Sequence, residues 1–256
     1  MIEFGGKPAK ERIVLAEWFA DFKADFILNF IEDNRWKSLL KGLGVTLEVT
    51  FFALIIGVLI GVVVAMIRSS FDKNKSTMRK GFAYYVFVIL DIICRVYLTV
   101  IRGTPVVVQL LIAYFIIFAS STNSVFVAVI AFGINSGAYV AEIFRGGIMS
   151  IDEGQFEAGR SLGFNYVQTM IYIIIPQVIK NVLPTLVNEF IVLLKETSVG
   201  GYVALKDLTK AGDIIRGRTF SAFMPLMAVA LIYLAMVMFF TFLLRKLERR
   251  LRQSER

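Results

Sequence analysis

Four long stretches of the chain contain no charged residue and are rich in apolar side chains: residues 49–67, 103–141, 161–179 and 219–244. A helix needs about 20 apolar residues to cross the hydrocarbon core of a membrane. The first and last stretches therefore fit one crossing each, whereas 103–141 is long enough for two, with polar residues 120–124 as the turn. This pattern predicts an all-α membrane protein with five spans, at residues 43–67, 103–120, 125–147, 168–195 and 221–244.

The remaining composition excludes several other kinds of protein. Of the 256 residues 57% are apolar, and there is no histidine, the commonest general base and metal ligand. The single cysteine, Cys94, excludes an intrachain disulfide and a cysteine-rich metal site. The net charge of +8 lies beside apolar stretches and forms no aromatic–basic pattern of a nucleic-acid module. We therefore expect no catalytic residues, no metal site and no nucleic-acid partner.

The positive charges also predict the topology. Residues 68–82 carry five basic residues and one acidic residue, and residues 245–256 carry six and two, whereas residues 1–41 carry seven of each. Positively charged segments near membrane spans stay in the cytoplasm. The N-terminus is therefore expected outside and the C-terminus inside, as an odd number of spans requires. The loop 148–167 then faces the cytoplasm, and the loop 196–220 faces outward although it is basic.

A regular aromatic pattern lies before the first predicted span. Aromatic side chains recur at every fourth position, with acidic residues on other faces: Trp18, Phe22, Phe26 and Phe30. This amphipathic pattern predicts a helix. Either the helix lies in the outer membrane interface, or it is a small extramembrane helix packed on the bundle.

The apolar segment 84–101 is unusual because it carries Asp91 and Arg95, four residues apart. An acid–base pair at this spacing supports a helix. A lone charge at the bilayer centre costs about 2.5–3.5 kcal/mol on insertion scales. We therefore expect an interfacial or partly buried helix that leads into the second span, because a sixth full span would break the charge-based topology.

The stretch 151–176, IDEGQFEAGRSLGFNYVQTMIYIIIP, has strong local signals. Asp152 and Gln155 have capping-box spacing, so a helix can begin at residue 153. Gly163 suits the left-handed residue that ends such a helix. Asn165 and Gln168 repeat the capping-box spacing and can start the next helix. The expected structure is a short cytoplasmic helix, a tight turn and a helix that enters the membrane.

The short helix has features of a docking surface. Glu157 projects from it, and Ala158 and Gly159 keep part of its surface small, so that another protein can approach closely. Pro176, within the following membrane helix, removes one backbone hydrogen bond and is expected to kink that helix.

The spacing of this loop is specific. Three residues separate Gly159 from Gly163, nine separate Gly163 from Ile173, and one separates Ile173 from the pair Ile175-Pro176. This resembles the loop E-A-A, three residues, G, nine residues, I, one residue, L-P in the permeases of binding-protein-dependent ABC importers. Gly159 replaces the second Ala and Ile175 replaces Leu. In that family the loop is the coupling helix, which docks in a cleft of the ATP-hydrolysing subunit, and the resemblance implies that role for Glu157, Ala158, Gly159 and Gly163.

Other stretches resemble the polar amino acid branch of these permeases. They are Arg102–Pro105 with Val108–Leu110, then Asn135–Gly147, and Leu194–Ser198. The resemblance covers residues 43–245. One of these stretches, Arg102–Pro105, also has a plain structural interpretation, because it suits a helix start. Outside these stretches, Gly57 and Gly61 have the spacing of closely packed helices.

The resemblance implies the bundle of a type I ABC importer permease in a bacterial cytoplasmic membrane. No G-x-x-x-x-G-K-[ST] phosphate loop is present, so ATP and Mg are expected on a separate ATPase subunit. The other implied partners are a second permease copy or close relative, an extracytoplasmic amino-acid-binding protein, an amino acid and membrane lipid. We expect an extracytoplasmic extension at residues 1–41, a transmembrane permease domain at 42–250 and a basic cytoplasmic tail at 251–256.

Polar residues within the spans are candidates for the substrate path, because such residues tend to face a cavity or a partner. They are Gln109, Asn135, Tyr139, Glu142, Asn188 and Glu189. An amino acid would need an anion for its ammonium group and donors for its carboxylate, and two acidic candidates could favour a basic amino acid. Alternatively, Glu142 pairs with Arg145, and Glu189 pairs with Lys195 or with another helix.

The main alternative function is an ion-coupled secondary amino acid transporter. Its signature would be inverted repeats with paired broken helices. The sequence indicates one broken segment, around Pro176 and Pro184, and no counterpart in the first half. An intramembrane enzyme and a channel have less support, because neither a catalytic motif nor a repeated pore signature is present.

Overall fold

The computed structural model describes residues 9–75 and 80–253, and within these residues the regular structure is entirely helical. The α-helices are α1 (Ala9–Phe26), α2 (Trp36–Asn74), α3 (Phe82–Gly103), α4 (Val106–Ile112), α5 (Ser124–Met149), α6 (Glu153–Ser161), α7 (Tyr166–Thr169), α8 (Ile175–Glu196), α9 (Leu208–Thr219) and α10 (Phe223–Gln253). Short π-helical turns at Ile27–Ile31, Ala113–Ile117 and Met170–Ile174 and 3₁₀ turns at Glu32–Asn34 and Thr197–Val203 extend some of them.

Five helical stretches in the described residues are long and apolar enough to cross a membrane, which confirms the predicted number. They are Trp36–Lys73, Phe82–Gly103, Ser124–Met149, Tyr166–Val203 and Phe223–Leu251. We name the two ends of the bundle after the short helices that lie there, the α6 end and the α9 end.

The predicted second span, 103–120, is wrong. Helix in that region covers only Val106–Ile117. At 1.5 Å per residue this helix is about 18 Å long, shorter than the hydrocarbon core of about 30 Å. The long helix of this region is α3, with 22 residues, which had been predicted as an interfacial or partly buried helix before the second span.

Contacts with α5 show that α3 and α4 together form one crossing. The hydroxyl of Tyr97 on α3 donates to the carbonyl of Ile134, near the middle of α5, at 2.6 Å. Leu110 on α4 packs instead with Val127, near the start of α5. The crossing therefore begins at α3, breaks at Gly103–Pro105 and continues through α4 toward the α9 end.

The charges of α3 are tolerated because they are paired. Asp91 is only 3% exposed, and its carboxylate accepts from Nε of Arg95 at 2.6 Å, so the predicted pair within the helix is present. Its second oxygen lies 3.5 Å from Nε of Arg68 on α2. The insertion cost that we applied to a lone charge does not apply to this cluster, which explains the misassigned span.

Helices α2 and α5 pack along matching stripes of small residues. The stripe on α2 is Ala53, Gly57, Gly61 and Ala65, and the stripe on α5 is Gly133, Gly137 and Ala141, all buried. A Cβ atom added at Gly61 would lie 2.6 Å from Cγ1 of Val140, and one at Gly133 would lie 2.8 Å from Cβ of Ile56. The packing interpretation of Gly57 and Gly61 is therefore confirmed.

The N-cap of helix α9 lies directly against α2. The carboxylate of buried Asp207 accepts from the backbone N–H of Lys210 at 3.0 Å and of Thr209 at 3.2 Å. Burial raises the pKa of this carboxyl, and these hydrogen bonds act in the opposite direction. A Cβ added at Gly42 on α2 would lie 2.7 Å from the carbonyl oxygen of Asp207, so only glycine permits this close approach.

The segment after α1 is fixed at the α9 end through one buried side chain. The amide of Asn29 donates to Ser221 Oγ at 3.2 Å, and its oxygen accepts from Thr219 Oγ1 at 2.8 Å. The aromatic pattern divides at this point: Phe30 is buried, whereas Trp18 is 56% exposed, and Phe22 and Phe26 are also exposed.

Candidate functional site

The loop between α5 and α8 has the predicted local structure. Helix α6 begins at Glu153, and the side chain of Asp152 caps it by accepting from the N–H of Gly154 at 2.7 Å. The chain reverses at Gly163, whose φ is +80°, so the predicted left-handed residue is confirmed. In addition, the N–H of Phe164 donates to the carbonyl of Gly159 at 3.0 Å, which closes the end of the helix.

The helix that follows starts with a complete capping box. The Asn165 side chain accepts from the N–H of Gln168, and the Gln168 side chain accepts from the N–H of Asn165, both at 2.9 Å. At the start of α6 the corresponding box does not form: Asp152 accepts from the N–H of Gly154 instead of that of Gln155, and the Gln155 side chain accepts from Gln177 on α8 at 3.3 Å.

The predicted irregularity near Pro176 takes the form of a π-helical turn, Met170–Ile174, just before α8. Pro176 has no N–H with which to donate to the carbonyl of Tyr172. The wider turn lets the crossing continue as a helix past the proline.

Helix α6 has one buried face and one exposed face. Phe156 and Gly159 are buried, and Phe156 packs in an apolar cluster that includes Ile148 and Met170. Glu157 and Ala158 are exposed on the other side of the helix. The inner face therefore anchors α6, and the outer face is free to meet a second protein.

Gly159 is small for a reason that the sequence did not reveal. A Cβ added at Gly159 would lie 2.6 Å from Cγ2 and 2.7 Å from Oγ1 of Thr169, which is 2% exposed. The glycine in place of the second alanine of the E-A-A pattern therefore leaves room for Thr169 of the same chain. The small residue on the exposed face of α6 is Ala158.

Replacing Gly159 with alanine is expected to destabilise the loop by about 1–3 kcal/mol, the usual cost of overpacking. Thermal unfolding of the purified protein in detergent measures the change. The double variant Gly159→Ala/Thr169→Ala should recover most of the loss because it removes both colliding atoms. Gly146→Ala is the matched control, since nothing lies within 4 Å of a Cβ at Gly146. Equal unfolding temperatures for Gly159→Ala and Gly146→Ala would contradict the prediction.

A second candidate site is a polar cavity of about 590 Å³ between α2, α3 and α5. It is lined by Arg68, Arg95, Leu98, Thr99, Arg102, Gly103, Tyr139 and Glu142. Three guanidinium groups and one carboxylate face the cavity, so its lining has an excess of positive charge. Such a lining offers donors to a carboxylate and, at Glu142, an acceptor to an ammonium group.

Glu142 is the centre of the charges around this cavity. Its carboxylate lies 3.1 Å from Arg145 of the same helix, 3.7 Å from Arg68 on α2 and 3.8 Å from Arg102 on α3. The pairing with Arg145 that we considered for Glu142 is present. It coexists with exposure to the cavity, because the side chain of Glu142 is 25% accessible.

The six predicted path residues fall into different places. Tyr139 and Glu142 line the cavity. Glu189 is buried and accepts from Ser136 Oγ on α5 at 2.9 Å, so its expected pairing with another helix is present. Asn188 is exposed on the surface of the chain.

Gln109 and Asn135 brace the break between α3 and α4. The Gln109 amide nitrogen donates to Ile101 O at 2.8 Å and to Thr104 Oγ1 at 2.8 Å. Asn135 in turn donates to the Gln109 side-chain oxygen at 2.9 Å. Gln109 thus satisfies backbone carbonyls that the break exposes at membrane depth, and Asn135 holds the Gln109 side chain in place.

Among the charged residues of the cavity, the sequence analysis did not identify the three arginines, Arg68, Arg95 and Arg102. Arg68 had been counted as a loop charge for topology, and Arg95 as half of an intrahelical pair. Only their position near Glu142 identifies them as cavity residues. That position depends on how α2, α3 and α5 pack, which the sequence does not show.

Comparison with known proteins agrees with this geometry. The family "Binding-protein-dependent transport system inner membrane component" matches residues 81–253. The chain is 39% identical over 165 residues to the glutamine transport system permease protein GlnP of Escherichia coli K12, covering 62% of this chain and 75% of the relative. It is 38% identical over 162 residues to the arginine transport system permease protein ArtQ of Bacillus subtilis, covering 62% and 74%.

A solved structure extends the likeness to the fold. The crystal structure of an amino acid ABC transporter with histidines superimposes with a TM-score of 0.73 at 40% identity, covering 86% of this chain and 98% of that one. The family match spans most of the chain and includes α6, the cavity residues on α3 and α5, and the last three crossings. This protein therefore belongs to the family of binding-protein-dependent transport system inner membrane components.

Proposed function

We propose that this chain is the membrane-spanning subunit of an ATP-driven amino acid importer and couples to a separate ATPase through α6. The observation that carries this function is the two-sided geometry of α6, which is anchored by buried Phe156 and Gly159 and presents Glu157 and Ala158 outward. Its relatives are permease subunits of transport systems for glutamine and for arginine. The protein is a multi-pass component of the bacterial cytoplasmic membrane.

In this proposal, partner subunits hydrolyse ATP and deliver the substrate. The ATPase would bind ATP and Mg, and this chain would have no catalytic residue of its own. An extracytoplasmic amino-acid-binding protein would deliver the substrate, and a second copy of this chain or a close relative would complete the path. Membership of the family supports the ATPase and the binding protein as partners, since the family is described as binding-protein-dependent.

The charged cavity is the part of the substrate path that we assign to this chain. An amino acid zwitterion complements it, with the carboxylate toward the arginines and the ammonium group toward Glu142. The earlier expectation that acidic residues favour a basic amino acid receives no support here, because Arg68, Arg95 and Arg102 outnumber Glu142 in the lining.

Orientation is part of the same proposal: the α6 end faces the cytoplasm and the N-terminus lies outside. The basic residues near the end of α2 support it, since Lys73 contacts Glu153 on α6. The basic residues at the end of α10 agree, because five crossings that start at the α9 end finish at the α6 end.

For the N-terminal helix α1, we propose the outer membrane interface over packing on the bundle. Exposed Trp18, Phe22 and Phe26 would enter the lipid headgroup region. The protein has two tryptophans, so Trp36→Phe leaves Trp18 as the only one. Its fluorescence in nanodiscs is expected to be quenched by lipids brominated near the headgroup and shielded from iodide. Quenching by iodide but not by the lipids would place α1 in water and refute this arrangement.

The coupling role predicts a large effect of Glu157→Arg. The reversed charge would be buried in the docking cleft, which is expected to weaken ATPase binding by at least about 2 kcal/mol, or about 30-fold. The measurement is co-purification of a co-expressed amino-acid-importer ATPase through a tag on this chain. Glu32→Arg, an exposed reversal at the α9 end, is the matched control and should retain the ATPase.

Two outcomes would reject the coupling role. One is ATPase recovery with Glu157→Arg equal to that of the wild type. The other is absence of the ATPase from every preparation together with ion-driven amino acid uptake by this chain alone in liposomes. That second result would indicate a secondary transporter. The sequence analysis had disfavoured a secondary transporter because it found no broken helix in the first half of the chain. The break at Gly103–Pro105 is such a broken crossing, so that argument no longer holds.

A further inference from the structure

The last turn of α2 is joined to the coupling loop by side-chain contacts. Nζ of Lys73 lies 3.1 Å from a carboxylate oxygen of Glu153 and 3.3 Å from the ring centroid of Phe156, both on α6. One turn earlier, the hydroxyl of Ser70 lies 3.5 Å from that of Tyr166 on α7. The end of α2 therefore contacts the loop both at α6 and at the start of the next crossing.

The contact with Phe156 is the stronger of the two that Lys73 makes. The Glu153 side chain is 76% exposed, and ion pairs in such positions are weak and screened by salt. The Lys73 side chain is only 16% exposed, and Phe156 is buried in the apolar cluster under α6. A cation over an aromatic ring gains strength when both groups are shielded from water.

Neighbouring residues of the same part of α2 reach the charged cavity. Asp72, the neighbour of Lys73, lies 3.9 Å from Arg95 on α3. Arg68, one turn before it, lies 3.5 Å from Asp91 on α3 and 3.7 Å from Glu142 on α5. The segment 68–73 is thus a single helical piece that contacts both the coupling helix and the cavity.

We propose that Lys73 is a positioning residue that transmits movement of α6 to the end of α2 and, through Arg68 and Asp72, to the cavity. The inference rests on the proposed function, since α6 must be the element that the ATPase moves. Lys73 and Arg68 lie on the same stiff helix. A displacement of α2 at Lys73 therefore moves Arg68 by nearly the same distance. Without the Lys73 contacts, the ATPase would still bind α6 but would shift the cavity less.

The test uses the accessibility of the cavity rather than transport, so the substrate need not be identified. Cys94 is the only cysteine, and Cys94→Ala gives a background free of thiols. Thr99→Cys then places one exposed thiol in the cavity lining. The probe is a water-soluble methanethiosulfonate, applied to the purified complex with its ATPase, with and without ATP plus orthovanadate. ATP is expected to change the labelling rate.

In Lys73→Met, the ATP-dependent change in labelling rate is expected to fall by about 2- to 30-fold, the range typical of residues in coupling networks. ATPase recovery and basal hydrolysis should stay as in the wild type. Lys73→Arg keeps the cation over the ring and should restore the response. Lys75→Met is the matched control, because Lys75 lies near Phe71 of its own helix, 5.7 Å from the ring centroid.

Four results would overturn the proposal. The response to ATP could be the same in Lys73→Met as in the wild type, or the wild type itself could show none. Lys73→Met could fail to bind the ATPase, which would mean that Lys73 only holds α6 in shape for docking. Absence of the ATPase from the wild-type preparation would instead reject the coupling function on which this inference rests.

Discussion

Replacing Gly61 with leucine is expected to separate α2 from α5 and to prevent recovery of folded protein. A Cβ at this position already lies 2.6 Å from Cγ1 of Val140 and 2.8 Å from the backbone nitrogen of Ala141. The backbone of Ala141 cannot give way without moving α5, and a leucine adds three further carbon atoms. We expect a cost of about 3 kcal/mol or more, at or beyond the upper end of overpacking.

The measurement is the monodisperse fraction in size-exclusion chromatography before and after heating in detergent. Gly44→Leu on the same helix is the matched control, because nothing lies within 4 Å of a Cβ at Gly44. If both variants elute and melt alike, the close approach of α2 and α5 at Gly61 does not exist in the protein.

The second large effect is expected for Asp91→Ala. This change leaves Arg68, whose side chain is 15% exposed, with only the more distant carboxylate of Glu142. Removing one partner of a buried ion pair costs about 3–5 kcal/mol. We expect a loss near the lower end of this range, because Arg68 keeps one partner and Arg95 can reach water.

Thermal unfolding in detergent measures this loss, with Asp213→Ala as the control. Asp213 pairs with Lys210 at 3.0 Å and with Arg216 at 2.6 Å on the surface of α9, and its removal should cost about 0–1 kcal/mol. The double variant Arg68→Met/Asp91→Leu leaves neither of these charges unpaired and should recover most of the stability. Equal unfolding temperatures for Asp91→Ala and Asp213→Ala would show that the buried pair does not stabilise the fold.

The loop could be predicted in detail because its signals are local. Asp152, Gly163 and the pair Asn165–Gln168 each act on backbone groups within three residues, and all of them occupy the predicted positions. The role of Gly159 could not be predicted, because its neighbour Thr169 approaches it only after the chain has turned back.

The second crossing was misassigned for the opposite reason. Whether α3 enters the membrane depends on Arg68, which is 23 positions away from Asp91 in the sequence but 3.5 Å away in space. The insertion cost of a lone charge takes no account of a partner on another helix, so it could not predict this ion pair. The number of crossings was still right, because the break at Gly103–Pro105 divides one span into two helices without adding another.

The cavity was only half predicted. Tyr139 and Glu142 were chosen as polar residues within an apolar helix, and both line it. Gln109 and Asn135 met the same criterion, yet Gln109 satisfies the backbone at the helix break and Asn135 bonds to Gln109. A polar residue in a span indicates that it needs a partner, but the sequence does not show whether that partner is a ligand or the chain itself.

The small-residue stripes of α2 and α5 determine which wall of the cavity is free to move. Where glycines meet glycines and alanines at van der Waals distance, two helices have no space to slide past each other. Arg68, Tyr139 and Glu142 therefore belong to one rigid wall. The facing wall is α3, of which only Asp91, Cys94 and Leu98 are buried in this chain. A change in the width of the cavity is therefore expected as a swing of α3 about its break at Gly103–Pro105, relative to an α2–α5 pair that moves as one body.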